Sequence, residues 1–131
     1  MSGGLILVVE DNALNMKLLR DVFRSQGYRV VESVTAEDGL DVARAEHPDL
    51  ILMDIHLPGM DGVSALKKLK ADPKTSDIPV IAVTASAMPM ERKEIIAAGF
   101  DGYQTKPLSV KELNGEIRSV LESRAQGSSD R

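Results

Sequence analysis

The chain has no cysteine and no tryptophan, and aromatic residues make up only 3% of it. Without cysteine there are no disulfides, no thiolate metal sites and no cysteine nucleophile, which suits a cytoplasmic protein. With only two Tyr and two Phe, the core has to be filled by Val, Ile, Leu, Met and Ala. Long runs of one charge are missing as well. No basic block exceeds Lys67-Lys68 and the formal net charge is -4, which argues against a nucleic-acid surface. No apolar run approaches the roughly 20 residues of a membrane span. Met1-Ser2-Gly3-Gly4 lacks the basic region and apolar core of a signal peptide. No repeat or interdomain linker breaks the 131 residues. The expectation is one soluble domain over 1–124, followed by a disordered polar tail at 125–131.

What the chain does have is a set of short apolar runs that end in polar residues. Leu50-Ile51-Leu52-Met53 stops at a lone carboxylate, Asp54, with the turn pair Pro58-Gly59 close behind. Such a run reads as a strand buried on both faces of a parallel sheet. Leu5-Ile6-Leu7-Val8-Val9 is a second, ending in Glu10-Asp11, and Val80-Ile81-Ala82-Val83 is a third, ending at Thr84. The segments 28–34 and 101–105 are strand-like but carry polar residues, so they belong at the edges.

Helical periodicity fills the gaps. Met16, Leu19, Val22 and Phe23 follow Asn12, a good N-cap, and Gly27 stops that helix. A second helix covers 36–46, with Leu40 and Ala43 inward and Gly39 as an internal weak point. A third starts at Asp61 and packs through Val63, Leu66 and Leu69. After a polar loop at 71–79, Pro89 opens a fourth helix carrying Ile95 and Ile96. The last is capped by Ser109 and carries Val110, Leu113, Ile117 and Leu121. Strands alternating with helices imply an α/β fold with a parallel sheet covered on both faces. Right-handed crossovers and the strand compositions give a doubly wound five-stranded sheet of order 2-1-3-4-5, a flavodoxin-like three-layer sandwich. Its switch point brings Glu10, Asp11 and Asp54 together.

Three carboxylates in one crevice repel. At an effective dielectric of ~20, a pair ~4 Å apart costs roughly 4 kcal/mol. Lys106, after the fifth strand, offers one ammonium; a divalent cation with oxygen ligands supplies the rest, and Mg²⁺ suits a site of few carboxylates plus phosphate. Thr84 adds a hydroxyl. Carboxylate, cation, lysine and hydroxyl describe a centre that accepts a phosphoryl group on Asp54. Each residue also has a plainer reading: Asp54 as a turn residue, Glu10 and Asp11 as helix-dipole partners, Thr84 as a strand-end residue, and Lys106-Pro107 as a junction.

The combination resembles the receiver domain of two-component response regulators (the CheY-like family) over essentially the whole chain. The segments that carry the resemblance are Val-Val-Glu-Asp-Asn at 8–12, Leu-Met-Asp-Ile at 52–55 with Leu57-Pro58-Gly59-Met60-Asp61-Gly62, Val-Thr-Ala at 83–85, and Lys106-Pro107. The stretch 12–19 is also similar to single-domain cell-cycle regulators of the DivK type. The resemblance implies that Asp54 is the phosphoacceptor, with Mg²⁺ (or Mn²⁺) held by Glu10, Asp11, Asp54 and the His56 backbone carbonyl. It implies further that Lys106 and Thr84 contact the phosphoryl oxygens, that Tyr103 changes rotamer with Thr84, and that the Lys106-Pro107 peptide is cis. The side chains of His56 and Ser86 lie where receivers vary and tune dephosphorylation.

On this reading the chain is a stand-alone signalling switch rather than an enzyme with its own substrate. It takes phosphate from a sensor histidine kinase or histidine phosphotransferase in a phosphorelay. Its output is a downstream protein bound through the fourth helix, fifth strand and fifth helix, with no nucleic acid and no membrane partner. The plainer alternatives are an edge-packing Tyr103, solvent-exposed His47 and His56, and Met88 and Met90 as gap fillers or an adaptable partner surface. The rival function is a haloacid-dehalogenase-like Mg²⁺-dependent phosphatase, which would want a second Asp two residues after the nucleophile, where this chain has His56. A flavodoxin-like FMN carrier would want a hydroxyl-rich loop after the first strand, where this chain has Glu10-Asp11-Asn12.

Overall fold

The computed structural model describes residues 4–85 and 89–129, the side chains of 89–91 and 124–129 excepted. The strands are β1 (Leu5–Val9), β2 (Arg29–Ser33), β3 (Leu50–Asp54), β4 (Val80–Thr84) and β5 (Gly102–Thr105). The helices that alternate with them are α1 (Ala13–Ser25), α2 (Ala36–Glu46), α3 (Gly62–Ala71), α4 (Pro89–Ala98) and α5 (Val110–Ser129). The strands form one parallel sheet of order β2-β1-β3-β4-β5, as their composition predicts.

Strand alternation sorts the core into two layers. Leu7 and Val9 of β1, Ile51 and Met53 of β3, and Val80 and Ala82 of β4 face α2, α3 and α4, meeting Leu40, Leu66, Leu69 and Ile95. Ile6, Val8, Leu50, Leu52, Ile81 and Val83 face the other way, onto Met16, Leu19 and Phe23 of α1 and Leu113 and Ile117 of α5. The three middle strands are buried along their whole length, whereas β2 and β5 are only partly covered. The result is the expected three-layer sandwich.

Several local features add to the sequence reading. Gly39, low in helix propensity, also lets α2 sit close on β1: a Cβ there would lie 2.9 Å from Val9 Cγ2. Ile95 is 2% exposed but Ile96 is 52% exposed, so only one of the pair enters the core. The polar loop at 71–79 is anchored, since the buried Thr75 hydroxyl donates to the Leu69 carbonyl at 2.7 Å and Ile78 is fully buried. Finally, α5 runs to Ser129, through most of the stretch read as a disordered tail from 125. Ala125 and Gln126 are good helix formers, and extending an existing helix adds a backbone hydrogen bond for each residue fixed.

Candidate functional site

Asp54 is the last residue of β3, Thr84 the last of β4, and Glu10 follows β1 directly. Parallel pairing in register therefore delivers these side chains to one edge of the sheet, and Lys106 joins them from the end of β5, its N–H donating to the Thr84 carbonyl at 2.8 Å. The loop beyond β3 is folded tightly back. Gly59 has φ +80°, and Gly62 approaches so closely that a Cβ would meet Ile55 Cα at 2.6 Å. Asp61 then caps α3 by accepting the Ser64 N–H at 2.7 Å. On the β1 side, Asn12 caps α1 by accepting the Asn15 N–H at 3.0 Å.

Glu10 and Asp54 are almost fully buried, at 2% and 3% exposed, while Asp11 faces solvent. One oxygen from each of Glu10, Asp11 and Asp54 can be chosen so that all lie within 4.8 Å of one another. Both Asp54 oxygens are engaged: Oδ1 accepts the His56 backbone N–H at 2.9 Å, and Oδ2 accepts Lys106 Nζ at 2.9 Å. The same ammonium lies 3.3 Å from Glu10 Oε1, and Glu10 Oε2 accepts the Asn12 N–H at 3.0 Å. Burial pushes the Glu10 carboxyl above its ordinary value, and the Asp54 charge adds to this. The Asn12 N–H and the Lys106 ammonium pull the other way without cancelling the rise. For Lys106, burial alone would lower the ammonium; the hydrogen bond and charge of Asp54, with Glu10 behind them, outweigh it and raise it.

Three carboxylates against one ammonium leave an excess of two negative charges when all are ionised. The donors are all hard oxygens, close together and open to solvent at Asp11. That chemistry fits a small divalent cation such as Mg²⁺ better than zinc, which favours nitrogen and sulfur ligands.

Every sequence-predicted side chain of the acidic centre reaches this edge. Thr84 is fully buried beside it, and the Lys106–Pro107 peptide is cis. Tyr103 stands on β5 and packs half-buried against the α2–α4 side of the core. Two contacts were not legible in the sequence. The His56 side chain is exposed as expected, yet its ring Nε2 lies 3.3 Å from Thr84 Oγ1. Arg92 of α4 stands over the Tyr103 ring, 5.0 Å from its centre. A histidine two residues beyond a strand-end Asp was the only sequence signal for the first contact. His47 is exposed and pairs with Asp77 at 3.3 Å. Ser86, Met88 and the Met90 side chain lie outside the described residues.

The model of the response regulator receiver domain matches residues 6–118. The polar-differentiation response regulator DivK of Brucella ovis is 46% identical over 116 residues, which is 88% of this chain and 94% of that protein. Among solved structures, the receiver domain of a sensor histidine kinase from Pseudomonas aeruginosa, described with a magnesium ion in its active-site cleft, is 34% identical. It superposes with a TM-score of 0.84, covering 92% of this chain and 99% of that one. A CheY-like receiver from Methanospirillum hungatei gives a TM-score of 0.87 at 28% identity, over 96% of this chain and 99% of that one.

Proposed function

The chain belongs to the response regulator receiver family, and from that premise we propose that Asp54 is the residue on which it is phosphorylated. The observation that carries this reading is the way Asp54 is held. It is a buried carboxylate with one oxygen fixed by the His56 N–H and the other by Lys106, beside an acid pair with charge to spare. A phosphohistidine of a sensor kinase or phosphotransferase is the donor. An Asp54 oxygen attacks phosphorus as the P–N bond breaks, and the departing imidazole nitrogen keeps the electron pair and takes a proton from water. The tie between Lys106 and Asp54 orients the nucleophile beforehand. As charge moves onto the phosphoryl oxygens, the same ammonium turns to them with a charge-assisted hydrogen bond.

Glu10, Asp11, Asp54 and the His56 carbonyl would hold Mg²⁺, with Mn²⁺ as a substitute. Bound there, the ion neutralises charge on the phosphoryl oxygens. The Pseudomonas receiver with magnesium in its cleft supports this assignment. Thr84 completes the contacts after transfer, and Tyr103 follows it by changing rotamer. That alters the face made by α4, β5 and α5, where a downstream protein binds.

We assign the switching unit to residues 1–124 and place it in the cytoplasm. Among the described residues no helix is long and apolar enough to cross a membrane. The chain is a signalling switch in its family, and the phosphatase alternative gains no support: the second residue after Asp54 is His56, not a carboxylate. The test is intact mass after incubation with acetyl phosphate and Mg²⁺. Wild type should gain one phosphoryl group and Asp54→Asn none. Equal labelling of the variant contradicts the assignment.

A further inference from the structure

His56 touches the site at two points. Its backbone N–H donates to Asp54 Oδ1 at 2.9 Å, while its ring Nε2 lies 3.3 Å from Thr84 Oγ1. Thr84 is 0% exposed and His56 is exposed. The ring thus lies over a buried hydroxyl from the solvent side, and one residue bridges the carboxylate and the hydroxyl assigned above as phosphoacceptor and phosphoryl contact. Either ring tautomer serves, because a hydroxyl both donates and accepts.

We propose that the His56 imidazole is a latch on Thr84, holding its hydroxyl in the unphosphorylated position until a phosphoryl group on Asp54 draws it away. The inference rests on the Asp54 reading and adds a positioning residue to it. A group that bonds Thr84 in only one of two states shifts the equilibrium between them by the worth of that bond. Breaking it weakens the phosphoryl-bound state by the net value of a single hydrogen bond, roughly two- to tenfold in affinity. Since the same residue is tied to Asp54 through its backbone, any rearrangement at Asp54 Oδ1 is felt directly by the residue that carries the latch.

Binding of the phosphoryl mimic beryllium trifluoride, in saturating Mg²⁺, tests this as a double-mutant cycle. His56→Phe keeps a ring without its nitrogens, and Thr84→Val keeps the branch without its hydroxyl. With Thr84 present, His56→Phe should bind the mimic roughly two- to tenfold tighter than wild type; in the Thr84→Val background it should make no difference. His56→Ala must shift affinity in the same direction as His56→Phe. An equal effect in both backgrounds, no effect, or weaker binding with Thr84 present overturns the latch while leaving the Asp54 assignment standing. Wild type that fails to bind the mimic overturns the Asp54 assignment itself, and the latch with it.

Discussion

The two ends of the sheet use the same residue type in opposite ways. At the end where the strands begin, Asp49 and Asp101 each sit just before a strand and reach sideways to the neighbouring one. Leu5 N–H donates to Asp49 Oδ2 and Asp49 N–H to the Leu5 carbonyl, both at 2.8 Å. Val80 and Asp101 repeat the pair, again with both bonds at 2.8 Å. Each acid accepts the backbone N–H that opens a neighbouring strand. At the end where the strands finish, Glu10, Asp11 and Asp54 are gathered instead, with Lys106 paired to Glu10 and Asp54. Acids set one to a strand fasten strands; gathered ones store repulsion that a cation can relieve. The position of an Asp relative to its strand therefore says less about function than the company it keeps.

The largest expected effect breaks the crowded end by removing its cation. Lys106→Met should destabilise the metal-free protein by roughly 2 kcal/mol, less than for a fully buried pair because Lys106 is partly open to water. Denaturant melts in chelator measure it, and a neutral result would mean that the acids do not depend on Lys106. At the opposite end, Asp101→Ala should cost about 1–2 kcal/mol by stranding the Val80 N–H, and the loss should be the same with chelator and with Mg²⁺. A metal-dependent loss would erase the distinction between the two ends.

Glu116 of α5 supplies a third case, beside the edge strand β5. Gly102 makes room for it, since a Cβ there would lie 2.7 Å from its carboxyl carbon, and Gln104 donates to it at 2.8 Å. Burial raises its pKa, and the hydrogen bonds from Gln104 and the Tyr103 backbone offset this only in part. A carboxyl raised on folding contributes stability that is present below its unfolded pKa and is lost as pH rises through its folded one. Glu116→Gln should therefore flatten stability over that acid window and leave the variant slightly more stable at neutral pH. Stability measured from acid to neutral pH checks it; a steeper profile in the variant would reverse the sign.

The sheet was legible because its signals are local. Three uninterrupted apolar runs placed β1, β3 and β4 in the middle, and the polar interruptions in 28–34 and 101–105 placed β2 and β5 at the edges. The acid cluster followed from the topology, since residues that end adjacent parallel strands must share an edge. Contacts between side chains far apart in sequence were not legible. No pattern within α2 says that Gly39 lies against Val9, and no periodicity in α4 aims Arg92 at Tyr103. His56 was read correctly as exposed, but exposure did not reveal that its ring Nε2 lies 3.3 Å from Thr84 Oγ1.

The acids at the finishing end are held against their own repulsion, whereas those at the starting end are not. Asp11→Asn keeps shape and removes one charge, so the most direct measurement is the stability of this variant beside wild type, each melted with chelator and with millimolar Mg²⁺. The variant should be more stable than wild type in chelator, on the order of 1 kcal/mol given that Asp11 faces water. Stabilisation by Mg²⁺ should shrink or vanish with the lost ligand. A variant that is less stable in chelator and still gains fully from Mg²⁺ would show Asp11 acting as an ordinary turn carboxylate, and would contradict the account.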